Sequence, residues 1–252
     1  MVSRRVLALG IASLMACSSR DGDPPEAAQP NVLGPGTRLR DIQSPGAGQA
    51  GRAVRVSSAV VVAVDGFDET RDGSSRGTVW LQDVDYVGPY GGISLFNPAF
   101  QPANLRLSPG DVVDLDGQYV EQRTIGSTVD FGTSYLPQLV KPVTTFRYEV
   151  AVPKPIEIPL TDLMYFSTGR KWIGVLVTVK DVVVANAPTG DSKNSGRRTA
   201  AFTTDKGSPA LSNELSELPS FAPGTTFKSI TGVVTFFFNL KIAPRSADDL
   251  VP

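Results

Sequence analysis

The chain has 252 residues, with 24 Lys and Arg against 25 Asp and Glu, no histidine and one cysteine. A formal charge of −1 gives no global attraction to nucleic acid. Without histidine, Ser-His-Asp and Cys-His catalysis and histidine-built zinc sites are excluded, and a lone cysteine forms no internal disulfide.

In chain order, Arg4 and Arg5 precede a short apolar run, Val6 to Ala16, with small residues near its end. This is the layout of an export signal, and it is too short to span a bilayer. Leu14-Met15-Ala16-Cys17 resembles the bacterial lipobox, with Met15 the unusual position. The resemblance implies removal of residues 1–16 and lipid modification of Cys17, which fastens the chain to the bilayer by more than the two-signal minimum. Ser18 in place of Asp implies the outer membrane of a bacterial cell envelope. The alternative is an ordinary signal peptide with an incidental cysteine. Loss of the signal leaves a net charge of −3, and residues 17–37, rich in Pro, Gly, Asp and Ser, read as a flexible tether.

The remainder is β-like: valine-rich alternating runs are separated by Gly, Pro, Asn and Asp clusters. It is also written twice. Leu39-Arg40-Asp41-Ile42 matches Leu160-Thr161-Asp162-Leu163, and Gly51-x-x-Val54-x-Val56 matches Gly174-x-x-Val177-x-Val179 at an offset of 123. Trp80-Leu81-Gln82-Asp83 matches Phe202-Thr203-Thr204-Asp205, and Pro109-Gly110 matches Pro223-Gly224. Turns at Gly117 and Gly232 follow, and each copy closes on a short strand ending at Pro142 or Pro244. Two modules result, 38–150 and 151–252, joined at Val152-Pro153-Lys154-Pro155. In the second, inward positions Val175, Val177 and Val179 slip by one to Val182 and Val184, which predicts a bulge that bends a long first strand. The fold class is therefore all-β: two tandem five-stranded OB-type Greek-key barrels after a disordered tether.

The stretches LRDIQSPG, WLQD, GGISLF, SPGDVVDLDGQYVE and ITGVVTFFFNLKIAPRSADDL resemble the OB-fold modules of bacterial secreted proteins, which often sit beside extracellular endonuclease domains. The resemblance covers the whole mature chain and implies the fold. No nuclease domain precedes the last residue, Pro252, so nuclease activity is not implied.

G-x-x-x-x-G-K-[ST] does not occur; G-x-S-x-G occurs once, Gly73-Ser74-Ser75-Arg76-Gly77, but without a histidine Ser75 has no triad base, which leaves carboxylate chemistry. The cluster Asp65, Asp68, Glu69 and Asp72 lacks EF-hand spacing and reads as a solvated loop, with a weak metal site as the alternative. Asp111, Asp114 and Asp116 lie on one strand and read as a wet face rather than a glycosidase pair. Asp83 and Asp205 recur in both copies and read as turn caps rather than catalysts. No catalytic residue, metal or cofactor is assigned.

OB barrels take strands or sugars on strands 2–3 and the flanking loops. By alternation Trp80 shares a face with Thr78 and Gln82, and Phe96 with Ser94, which predicts an aromatic stacking platform. The alternative is that both rings cover a rim or pack on the other module. The first module carries −3 and the second +2; the second has a basic loop, residues 188–198, with Lys193, Arg197 and Arg198. That loop is the place for nucleic acid, if it is not simply solvated. Of Phe236, Phe237 and Phe238, at least one ring points outward, to the module contact or a partner. The function expected is a non-enzymatic envelope lipoprotein presenting two barrels to nucleic acid, oligosaccharide or an envelope protein. Alternatives are a structural accessory subunit and a carboxylate- or metal-dependent hydrolase.

Overall fold

The computed structural model describes residues 36–68, 77–96, 99–100, 106–123, 135–190, 196–205, 209–237 and 239–252. The signal, Cys17, the tether to residue 35, Glu69 and Asp72 of the acidic cluster, Lys193 and Phe238 lie outside the described residues, as do the side chains of Phe96 and Phe237. Thr37, placed in the tether by sequence, belongs to the folded body: it is buried, and its carbonyl accepts from the Ser57 N–H (3.0 Å).

The first half runs α1 (Leu39–Gln43), β1 (Ala53–Val64), β2 (Val79–Asp83), β3 (Gly92–Phe96), β4 (Ala99–Phe100), β5 (Asp111–Arg123) and β6 (Tyr135–Glu149). Neighbouring strands follow β3-β2-β1-β5-β6 with antiparallel pairing, and β3 meets β6 in parallel, so five strands close a barrel. This is the expected OB-type order. Alternation fills the interior with Val79, Leu81, Ile93, Leu95, Val113 and Leu139, and α1 adds Leu39 and Ile42. Each such side chain contributes about 2 kcal/mol by leaving water.

The second half runs β7 (Ile156–Glu157), α2 (Phe166–Gly169), β8 (Leu176–Val183), β9 (Thr189–Gly190), β10 (Arg198–Ala201), β11 (Ala210–Ser212), β12 (Thr226–Phe237), β13 (Asn239–Ala243) and β14 (Leu250–Val251). Its order β8-β12-β13-β11-β10, with β11 parallel to β13, repeats the first barrel strand for strand. A single bridge between Val184 and Phe202 joins its first and second strands.

The copies also bend at the same residues. Gly51 and Gly174 have φ of 81° and 84°, and Ser58 and Asp181 have φ of 57° and 50°, both pairs at the repeat offset of 123. In β1 the bend is a bulge, because the register against β5 shifts between Val56 and Ala59. In β8 the predicted bulge is absent: pairing with β12 keeps one register from Leu176 to Val183 across Asp181. The left-handed Asp181 alone turns Lys180 and Asp181 both outward, so the face changes without an inserted residue. The helical turns at Leu39–Gln43 and Leu160–Leu163 were not anticipated, being too short to show a period.

Candidate binding surface

Residue parity on β2 is as read from sequence. Trp80 pairs with Ser94 and Gln82 with Gly92, and all four sit on the outer side of the first barrel. The expectation of an open platform there needs correction. Trp80 is only 2% exposed and lies in a cluster with Val60, Val62 and Val112 of its own barrel and Leu176 and Val233 of the other. Every residue of β2 is buried, so both its faces are covered. An indole so enclosed offers no face to a base or a sugar. The ring of Phe96 lies outside the described residues.

What covers this surface is the start of β8. The Leu176 N–H donates to Gln82 Oε1 (2.7 Å), and the Tyr90 N–H donates to the Lys171 carbonyl (2.6 Å). Gly92 and Gly174 meet backbone to backbone, so closely that a Cβ on either would enter the other strand. Beside them Arg170, 8% exposed, reaches from the second half into the first. Its Nε donates to the Tyr135 hydroxyl (2.8 Å) and its Nη2 to the Tyr119 hydroxyl (3.0 Å), with Glu121 at 3.9 Å. Its guanidinium also lies over the rings of Tyr90 and Tyr135 at 5.1 and 5.2 Å. Burial raises the Tyr119 hydroxyl pKa, against the opposing pull of Arg170. Phe166 touches both Tyr135 and Phe236 (5.2 and 5.3 Å), so Phe236 packs at the module contact, one of its two expected places.

Sequence reasoning missed Arg170. Under the offset of 123 it stands opposite Ala47, so the repeat gave no signal for it.

The carboxylates are structural. Asp83 is fully buried and accepts from the N–H groups of Leu39 (2.7 Å) and Arg40 (3.2 Å) at the start of α1. Burial pushes its carboxyl up to about 6, against those two bonds and the nearby Arg40, which pull it down. Asp205 stays at the surface, so the cap does not recur in the second copy. Asp116 pairs with Arg55 (2.6 Å), Asp114 with Arg147 (3.5 Å) and the Ser58 N–H (3.0 Å), and Asp111 accepts from the Ser108 N–H (2.7 Å). Among the described residues no three metal-ligating side chains converge.

Two open features stand out among the described residues. A cleft of about 270 Å³ at the seam between the barrels is walled by Val62, Val64 and Pro109 on one side and Leu215 and Arg245 on the other. Arg245 is already held by Asp249 through two bonds of 2.9 and 2.8 Å, so its charge is largely answered. The other feature is the β9–β10 hairpin that carries the basic loop. Asn213, 2% exposed, fixes the end of that loop, accepting from the Arg198 N–H (2.7 Å) and donating to the Gly196 carbonyl (2.8 Å). Arg198 then stands exposed beside the exposed β9. Arg197, expected beside Arg198 as a ligand contact or a solvated loop residue, is only 9% exposed: alternation along the chain turns it inward as Arg198 turns out.

No family model matches the chain, and no curated protein matches it. Among solved structures it is similar to a chain of a replication protein A heterotrimer bound to ssDNA, at 11% identity and a TM-score of 0.28. That similarity covers 81% of this chain and 52% of the other, so this chain spans about half the length of that one. The OB-type assignment rests on the strand order and parallel closure of the two barrels.

Proposed function

We propose that this chain is a non-enzymatic binding protein, fastened to the bacterial cell envelope through lipidated Cys17, whose second barrel receives an extended anionic ligand, single-stranded nucleic acid or an acidic oligosaccharide. One observation carries the reading. The strand 2–3 face of the first barrel is taken up by the contact with the second, whereas the β9–β10 hairpin of the second stands open with Arg198 exposed. The second half also carries the net positive charge, +2 against −3. An arginine on an exposed ribbon can meet a phosphate or a uronate with paired N–H donors. A second reading, an accessory subunit that docks only to other envelope proteins, is favoured by the same occupied face, because Trp80 is spent on holding the barrels together.

The test is calorimetric titration of the full chain carrying Cys17→Ser with a deoxythymidine oligomer and with an acidic glycan panel at two salt concentrations. Binding that weakens with salt, and about tenfold on Arg198→Ala, is the expected result. No heat from either ligand class sinks the proposal and leaves the accessory-subunit reading. For the anchor, Cys17→Ser moves the protein from the membrane fraction to the soluble fraction; retention in the membrane contradicts it.

A further inference from the structure

Residues 145–149 at the end of β6 are exposed at all five consecutive positions, where a half-buried strand would alternate. They pair with β5 on one side, and the last residues of β6 to pair on the other side, among the described residues, are Val143 and Thr144. Two of the five are large hydrophobic side chains: Phe146 is 41% exposed and Tyr148 is 47% exposed. Edge strands are usually short or protected, because they template pairing with another chain. This one ends in Thr145-Phe146-Arg147-Tyr148-Glu149, a sequence with a self-complementary register.

We propose that this edge pairs with the same edge of a second copy, antiparallel about a two-fold axis at Tyr148. In that register each Arg147 faces Glu149 of the second copy, twice by symmetry, and the two Tyr148 rings meet at the axis. Phe146 falls opposite Val150, the half-buried residue that follows the strand and packs against the Trp80 cluster. The backbone agrees. The Val150 N–H donates back to the Gly110 carbonyl (2.9 Å), so by alternation Glu149 aims its own N–H and carbonyl away from β5, toward the added strand. Arg147 is the extra residue where the β5–β6 register shifts, and Asp114 at 3.5 Å steadies its guanidinium at the surface. A charged pair of opposite sign in each half selects the antiparallel partner and this register over slipped ones.

Sedimentation velocity of the full chain with Cys17→Ser, over a concentration series, reads the result. The wild-type edge gives a dimer. Arg147→Glu places like charges opposite each other twice and weakens the dimer about tenfold, while Arg147→Glu with Glu149→Arg restores it. Tyr148→Cys, added to Cys17→Ser, gives a disulfide-linked dimer under mild oxidation, because the two residues are directly opposite. Far-ultraviolet circular dichroism and thermal melting show that each variant is folded. A monomer at all concentrations overturns the proposal. So does a dimer indifferent to the charge changes, or one that Tyr148→Cys does not cross-link.

Discussion

Asp83 is buried by the turn it holds in place. Its two bonds from Leu39 and Arg40 favour the carboxylate, but enclosure dominates and places the carboxyl at about 6, above its unfolded value of 3.8. A raised carboxyl favours the folded state most strongly while it is protonated. Its contribution is therefore complete below about pH 4 and is lost as the pH rises through 6, a change on the order of 3 kcal/mol. Asp83→Asn keeps one acceptor for α1 and removes the titration. Denaturant unfolding between pH 4 and 8 is expected to show this decline in the wild type and a flatter profile in the variant. Equal slopes would mean that Asp83 titrates near its ordinary value. Arg170 is a buried cation partnered at Nε and Nη2 by two tyrosine hydroxyls, with two ring faces and Glu121 at 3.9 Å beside it, while its Nη1 makes no hydrogen bond among the described residues. Removing it takes the donor from the Tyr135 hydroxyl and leaves Tyr119 and Glu121 only their own bond (3.0 Å), so Arg170→Ala is expected to cost about 2 kcal/mol in urea unfolding.

At the level of elements, β2 and β3 meet β8 through glycines. Gly92→Ala drives a methyl into the Gly174 carbonyl carbon, and backbone cannot swing aside as a side chain can. The expected penalty is about 3 kcal/mol with a rise in the radius of gyration by small-angle X-ray scattering. Gly224→Ala, with open space around its Cβ position, is strained only by its φ of 83° and leaves the scattering unchanged. These elements were legible in the sequence to different degrees. Glycine and proline punctuation and valine alternation are local signals, so the strands, the duplication and the side of β2 that carries Trp80 could all be read. What covers that side could not, because alternation assigns a direction and not a neighbour. Trp80 beside Gln82 and Ser94 looks the same whether water, a ligand or β8 lies above it. The repeat also misled at Asp205: the copies share a motif there, but only Asp83 meets the start of a helix.

For the whole molecule, the consequence is that two repeats behave as one body. The cluster around Trp80 draws on both barrels, and the second barrel's Leu176 and Val233 are fully buried within it. If the repeats were beads on a linker, each would unfold at its own temperature. Here, opening the second barrel exposes Trp80, Val60 and Val62 on the first, and loses the bonds of Arg170 and Gln82 as well. Differential scanning calorimetry is therefore expected to give a single transition with a van't Hoff enthalpy equal to the calorimetric one. Trp80→Ala is the sharper probe, since the indole belongs to the contact and not to either barrel interior. It should cost about 4 kcal/mol and lower the Tm by about 10 °C in a body of this size. It should also separate the barrels energetically, so that the single peak broadens or splits. Two transitions in the wild type, or an unaltered peak shape and Tm in Trp80→Ala, would show that the contact is not what joins the barrels. The proposed occupation of the first barrel's strand 2–3 face would then lose its energetic basis.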